Sequence, residues 1–460
     1  MQNTIFAYPE SDGGTPRASG VRKIAIVGAG VSGLSAAWAL KDVAEVTLFE
    51  KVSRVGGHAN TVSVEAPEGP ISIDTGFIVY NEKNYPNLTA LFRFLGVETH
   101  QTEMHFSVSA RDRDLEYSSQ GVSGLFADLR NLTRPRFFSM IADILRFYAD
   151  ASRMASAEDD LSLGDFLRMK RYGKTFVEDH LLPMAAAIWS CPPKAMLEFP
   201  AKGLARFFIN HGLAELGAPV SWRSVKGGSK TYVSALTESF RDRIEVGVEV
   251  EGVRRSDAGV QLRLSTGDVR AFDEVILACH GPQARALLTD KDLLEERILS
   301  CFKTQRNLAI LHRDERLMPR RKRAWASWNY LSEQPGERDL SVTYWMNTLQ
   351  VLNTSTDYFV TLNPATLPEE NSILAVSEYQ HPVFDAATFK AQRDIWQIQG
   401  RNGIWYAGAY LGYGFHEDGL QAGLAVAELM SAWRRPWSFD QSQERLARPA
   451  LPKTPFKEAA

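Results

Sequence analysis

The run Gly28-Ala-Gly30-Val-Ser-Gly33 constrains this chain more than any other stretch, because of what flanks it. Before it, Lys23-Ile-Ala-Ile-Val27 is an apolar run of the length of a buried strand. After it, Val31 to Leu40 has helical spacing and good helix formers, and Glu45-Val-Thr-Leu-Phe49 reads as a second strand ending at Glu50. Strand, glycine turn, helix, strand and acid in that order predict a βαβ unit that binds a dinucleotide. Gly28 permits the tight turn, Gly30 lets the backbone approach a pyrophosphate, and Gly33 lets helix and strand pack closely. The helix start at Val31 and Ser32 offers unpaired N–H groups and a positive dipole end to phosphate. Glu50 is placed to accept ribose hydroxyls, and its charge disfavours a 2′-phosphate.

The next residues are Lys51-Val-Ser-Arg54-Val-Gly56-Gly57-His58. A basic Gly-Gly turn directly after the ribose acid resembles the extended motif of the glutathione-reductase-like FAD superfamily. That resemblance implies non-covalent FAD, with Lys51, Arg54, Gly56, Gly57 and His58 around the pyrophosphate and ribityl chain. Arg54 could clamp a phosphate as a planar fork, and as a plain loop arginine it would be solvated.

A chain of 460 residues, 44% hydrophobic and 23% charged, has room for two or more domains of ordinary globular composition. A formal net charge of -3 gives no basis for nucleic-acid binding. The cysteines, Cys191, Cys279 and Cys301, form no CxxC, which argues against a disulfide framework or a zinc site and favours a reducing cytoplasm. The histidines show no HxxxH or HExxH spacing, so no metal site is expected. Residues 1–20 are polar and read as a loose arm without the apolar core of a signal peptide, and so does the tail, 434–460. No apolar run is long enough for a transmembrane helix.

The pattern predicts an α/β fold: a Rossmann-like FAD-binding domain from three segments, 21–100, 221–289 and 400–433, interleaved with an α+β substrate domain. The substrate domain takes 101–220, mostly helical, and 290–399, aromatic and β-rich. Ile71 to Gly76 reads as strand and turn, Asn87 to Leu95 as a helix, and Phe137 to Tyr148 as an amphipathic helix. Ile244 to Val250 and Glu274 to Ala278 read as strands, Gly403 to Ala407 as the last strand, and Leu420 to Trp433 as the last helix.

Gly227-Gly228 before a helix, Val250-Glu-Gly-Val253 and the closing Tyr406-Ala-Gly-Ala-Tyr410 resemble the flavin amine oxidase and phytoene desaturase superfamily over nearly the whole chain. The resemblance implies that Val250 meets the adenine, and that Gly408, Phe415, Asp418, Gly419 and Leu420 bring a turn and a helix N-terminus to the flavin. Thr75, Gly76 and Phe77 complete the implied cofactor set. Asp74-Thr-Gly-Phe-Ile-Val-Tyr80-Asn81, Ala187-Ile-Trp-Ser190, Ala324-Trp-Ala-Ser-Trp-Asn-Tyr330, Tyr344-Trp-Met-Asn347 and Gly412-Tyr-Gly-Phe-His-Glu-Asp-Gly419 look like a narrower bacterial branch. That branch is associated with cyclopropane-fatty-acid-synthase-like methyltransferases, and some members are acyl desaturases of furan fatty acid synthesis. It implies a methylated unsaturated acyl substrate, a lipid methyltransferase partner and peripheral contact with the membrane. Amine oxidation and a non-catalytic flavoprotein supporting a methyltransferase remain alternatives. An amine oxidase usually carries a lysine near flavin N5, for which Lys303 is a candidate, though surface lysines are commoner.

For proton removal the candidates are His416, Glu417 and Tyr413, with Tyr80 and Asn81 following a cofactor segment. His416 has the side chain best suited to base work near neutrality, and Asp418 could cap the final helix. His211 and His381 are weaker candidates. Trp328, Tyr330, Tyr344, Trp345 and Tyr410 could line an apolar channel, or simply fill a core. Arg134-Pro-Arg-Phe-Phe138 and the helix after it could dock on anionic lipid, or bury their apolar face inside.

Overall fold

The computed structural model describes residues 21–156, 161–213, 220–332 and 341–447. The N-terminal arm expected at 1–20 lies outside the described residues. Two compact units share the chain: one takes the residues up to Val55, Ser239–Cys301 and those from Lys390, the other Gly56–Glu238 and Phe302–Phe389.

The first unit is built on a five-stranded parallel sheet of β1 (Lys23–Val27), β2 (Glu45–Glu50), β3 (Ile244–Val246), β4 (Glu274–Leu277) and β5 (Ile404–Tyr406), in the order β3-β2-β1-β4-β5. Between β1 and β2 runs helix α1 (Val31–Leu40), every residue of which is buried. Such a helix must be covered on all sides, and α2 (His416–Met430) lies along it. The two helices close through glycine: a Cβ on Gly423 would sit 2.1 Å from Ser35 Oγ and 2.2 Å from the Ser32 carbonyl oxygen. The strand expected at Ile244 to Val250 is two strands, because Gly247 turns the backbone at φ +72°; the second, Val250–Ser256, joins a separate antiparallel three-stranded sheet.

The segment boundaries fall elsewhere than the sequence pattern suggests. Residues 56–100 lie in the second unit, since the strands Thr61–Ala66, Gly69–Asp74, Tyr80–Asn81 and Thr99–Thr102 pair with one another or with Trp222–Val225 and none joins the parallel sheet. Residues 221–238 lie there too. The stretch 101–220 is mostly helical, as expected, and its strands Phe106–Ala110 and Leu115–Ser118 complete a seven-stranded sheet with Trp328–Ser332, Ser341–Trp345, Phe359–Leu362, Lys303–His312 and Ile373–Val383. The helix Pro135–Ser156 buries Phe137, Met140, Phe147, Ala151 and Met154 and packs on Ala201–Asn210, so its apolar face belongs to the core. No helix among the described residues is long and apolar enough to cross a membrane.

The tail is no loose arm as far as it is described. Trp437 stacks on Trp38 at 6.0 Å, Trp433 meets the same ring edge-on at 5.6 Å, and the Arg435 guanidinium holds both oxygens of Glu428 at 2.8 Å. Residues 448–460 lie outside the described residues.

Candidate functional site

The glycine turn has the shape that its sequence implies. Gly28 sits at φ +106°, and a Cβ there would come 2.8 Å from the Ala278 carbonyl oxygen. A Cβ on Gly33 would strike the Gly28 carbonyl oxygen at 1.9 Å, so only glycine lets α1 lie this close to β1. Gly30 differs: a Cβ there would meet nothing within 4 Å. It is the N-cap of α1 and no side chain caps the helix there. Open space in front of an uncapped helix start is what a pyrophosphate requires. At the end of β2 the Glu50 carboxylate accepts the Ala29 and Val52 N–H groups at 2.8 and 3.1 Å, which fixes it beside this turn. Lys51 and Arg54 are exposed.

A second helix start joins the first. The last helix begins at His416 rather than near Leu420, because Asp418 accepts the Phe415 N–H at 2.8 Å and so caps the chain one turn earlier. Gly419, inside that helix, approaches Val31 and Ser32 so closely that a Cβ would lie 2.7 Å from Val31 Cγ1 and 3.0 Å from Ser32 Oγ. The first turns of α1 and α2 therefore converge, and with them two positive dipole ends. Gly408 and Tyr410 precede this turn; a Cβ on Gly408 would strike the Tyr410 ring at 2.4 Å and lie 3.4 Å from the Cys279 carbonyl oxygen. Cys279 thus lies beside the closing segment in space, and burial pushes its thiol up to about 12. Leu420 is buried in the first turns of α2.

Two side chains hold this region without any sequence signal. Gln392 Nε2 donates to the carbonyl oxygens of Tyr410 and Gly412 at 2.9 and 2.5 Å. Arg445, in the supposed arm, reaches Asp418 Oδ1 at 3.4 Å, and its N–H donates to Gln421 Oε1 at 3.1 Å. Burial raises the proton affinity of Asp418, and Arg445 opposes that shift. Glu417 is fully buried and accepts Gln421 Nε2 at 2.9 Å, which makes it part of this bracing. Desolvation drives the His416 ring down to about 3. An imidazole so reluctant to hold a proton is a poor base at neutrality. Tyr413 contributes its backbone N–H to Asp418.

In the second unit the Gly-Gly-His turn rests on the seven-stranded sheet. A Cβ on Gly56, at φ +111°, would sit 2.5 Å from the Ala59 carbonyl oxygen, and one on Gly76 would sit 2.2 Å from that of His58. The Phe77 N–H donates to His58 O at 2.8 Å, tying the turn to the segment Thr75 to Phe77. The His58 ring stacks on Tyr379 at 5.0 Å and lies 5.2 Å from His381. Tyr379 Oη is held by Thr75 Oγ1 at 2.7 Å and Asn60 Nδ2 at 2.9 Å, and Asn307 Nδ2 lies 2.8 Å from His381 Nδ1.

Strand register places this group on one sheet face with most of the aromatic set. Trp328 pairs with Tyr344, Tyr344 with Val360, Val360 with Leu311 and Leu311 with Ala375. Paired residues share a face, and from Ala375 the alternation carries that face to Ser377, Tyr379 and His381. Trp328, half-buried, meets Tyr344 edge-on at 5.5 Å, and Tyr330 shares their side. Trp345 does not: it is on the opposite face, packed with Trp325, Met318 and Phe359, its Nε1 bonded to Asp357 at 2.8 Å. Tyr410 lies in the other unit.

The other candidates stand apart from these groups. Tyr80 packs edge-on against Phe92 at 5.3 Å, and Asn81 Oδ1 accepts the Asn84 N–H at 2.8 Å within a turn. The ring of His211 stacks on Phe207 at 3.7 Å. Val250 is buried, opposite Leu264. Lys303 Nζ pairs with Asp385 at 2.8 Å where both side chains reach solvent, so it is a surface ion pair. Among the described residues no cluster of His, Cys, Asp or Glu could hold a metal.

The family model for flavin-containing amine oxidoreductases matches residues 31–310. A curated relative, the coproporphyrinogen III oxidase of Mycobacterium leprae (strain TN), is 26% identical over 291 residues, 58% of this chain and only 61% of that protein. Two solved structures share the fold. A putative protoporphyrinogen oxidase from Exiguobacterium sp. 255-15 has a TM-score of 0.67 at 17% identity, covering 89% of this chain and 98% of its own. A fatty acid isomerase from P. acnes, described as producing CLA, has a TM-score of 0.59 at 14% identity over the same shares. With a cradle shaped for a dinucleotide and a family match over more than half its length, the chain belongs to the flavin-containing amine oxidoreductases, and its cofactor is FAD.

Proposed function

We propose that this protein is an FAD-dependent oxidoreductase that dehydrogenates a lipid acyl chain, with methylated unsaturated acyl groups as the preferred class. One observation carries the reading. The sheet face that receives the Gly-Gly-His turn is walled by Trp328, Tyr330 and Tyr344, an apolar and aromatic surface, and ends in the polar group His58, Tyr379 and His381. An apolar wall suits a chain without charge, and the polar end supplies somewhere for a proton to go. The surface ion pair of Lys303 weighs against an amine oxidase of the usual kind.

Bound in the cradle of Gly28, Gly30, Gly33 and Glu50, FAD supplies a two-electron acceptor at its ring. The protein's part is to hold two adjacent carbons of the chain against that ring, keep water away and receive one proton. Of the two hydrogens removed one leaves as hydride and one as a proton, a C–C single bond becomes double, and an external two-electron acceptor such as oxygen restores the cofactor. We assign the proton to the His58–Tyr379–His381 group in preference to His416, whose ring resists protonation. The curated relative favours a second reading, oxidation of a porphyrinogen, a large macrocycle that carries carboxylate side chains.

The test is anaerobic reduction of the flavin, followed by its absorbance. Methylated unsaturated phospholipid, a porphyrinogen and a panel of amines are added separately. Bleaching by lipid alone, with a new double bond by mass spectrometry, is the expected result. Bleaching by porphyrinogen or by amine alone overturns the acyl assignment.

A further inference from the structure

The second unit carries an apolar surface that neither its core nor its cofactor segments use. Val122 is 72% exposed, Leu129 64%, Leu132 52% and Phe138 46%. Scattered apolar side chains at a surface mean little, but a contiguous group does. These belong to three consecutive short turns: the helix Gly121–Leu125, the 3-10 turn Leu129–Thr133 and the start of the helix Pro135–Ser156. Leu129 and Leu132 are three apart on a 3-10 turn, so they project from one side. Phe126, which ends the first turn, lies 6.4 Å from Phe138, which opens the third.

Charge surrounds these tips in two layers. Beneath them Arg130, Arg134 and Arg321 are tied to Asp114, Asp128 and Glu116. Glu116 and Asp128 are buried, so this layer is neutral and fixes the turns. Outside it, Arg136, Arg320, Lys322 and Arg323 are exposed, and the turn Lys322–Ala324 packs against the helix Gly121–Leu125. Acids face this outer layer too: Glu315 lies 3.2 Å from Lys322, and Arg136 interacts with the buried Asp179.

We propose that this surface, Val122 to Phe138 with Arg320 to Arg323, docks the protein on an anionic lipid membrane. The apolar tips enter the boundary between headgroups and acyl chains, and the outer cations pair with headgroup phosphates. The layout favours a bilayer over a protein partner: the apolar residues protrude from single turns and are bordered by exposed cations that match anionic headgroups. The inference is independent of which substrate the flavin oxidises.

The experiment is flotation of the FAD-loaded protein with vesicles of phosphatidylcholine, alone or mixed with phosphatidylglycerol, at low and high salt. The wild type is expected to float with the anionic vesicles and to lose binding as salt rises. R320Q/K322Q/R323Q is expected to lower partition at low salt by roughly fivefold per charge removed. L129D/L132D is expected to lower it by at least about tenfold at any salt. All these residues are exposed, so both variants should keep wild-type flavin content and melting temperature, which separates lost docking from lost folding. A wild type that floats with neither vesicle, or variants that float as it does, overturns the proposal. So does a wild-type dimer by light scattering that L129D/L132D dissociates while vesicle binding is absent, which assigns the surface to a second copy of the chain.

Discussion

Gly30 and Gly33 look equivalent in the motif, and the structure says that they are not. A methyl on Gly30 points into open space, and the residue sits at φ −76° and ψ 179°, which any L-amino acid adopts. Gly30→Ala should therefore leave the FAD-free protein as stable as the wild type or more stable by about 0.4–1 kcal/mol, through a less flexible unfolded chain. The same methyl stands where the pyrophosphate must approach. Overpacking of that kind costs about 1–3 kcal/mol, or roughly 5- to 150-fold in FAD affinity. Gly33→Ala should do the reverse. Its methyl would lie 1.9 Å from the Gly28 carbonyl oxygen and 3.2 Å from Ala278 Cβ, atoms of the residues that directly follow β1 and β4 and cannot yield without parting helix from sheet. The loss should reach about 3 kcal/mol or more before any cofactor is added. The assay is urea unfolding of the FAD-free proteins with FAD titration by fluorescence quenching. A Gly30→Ala protein that binds FAD like the wild type, or that unfolds early without it, would refute the cradle drawn here.

Three further outcomes follow from the same geometry. His180 and His312 are buried with their rings pushed down to about 4, below the 6.5 of an unfolded histidine, so their contribution is complete above pH 6.5 and is lost as pH falls, by up to about 3 kcal/mol each at pH 4. Asp74, raised by burial to about 6, works in the opposite sense and gains as pH falls from 6 to 4, offsetting about one histidine; His280 and His416 act with the histidines. Net stability of the FAD-free protein by urea unfolding should drop between pH 6.5 and 4, and a flat or rising profile would contradict these burial effects. Arg445→Met removes the cation beside buried Asp418 and should cost about 3 kcal/mol together with weaker FAD binding; unchanged FAD affinity would mean that the tail braces the helix without serving the cofactor. Lys303→Ala should leave the rate of anaerobic flavin reduction within about twofold of wild type, as expected for an exposed ion pair, whereas a large loss would bring back a lysine acting at the flavin.

The βαβ unit and its glycine turn were legible because their constraints are local. Gly28, Gly30, Gly33 and Glu50 sit within one βαβ unit, where each residue's task follows from its neighbours in sequence, and the strands and helix there form where the apolar pattern places them. What escaped was set by partners far along the chain. Trp345 alternates with Tyr344 and so had to face away from it, yet only the pairing across five strands reveals which side the turn of His58 occupies. Arg445 sat in a polar, proline-containing tail with every mark of a loose arm, and its value comes from one buried carboxylate, Asp418, 27 residues earlier. Gln392 is one glutamine among many until its amide is seen spanning two carbonyls of the closing segment. The lowered proton affinity of His416 escaped for a related reason: the ordinary affinity is a property of imidazole in water, and the first turn of a buried helix removes the water. Local motifs thus announce a cofactor, while the side chains gathered on one sheet face are assembled by long-range pairing. That is why the acyl-chain reading rests on the one sheet face where His58, Tyr379 and His381 stand in line with Tyr344 and Trp328.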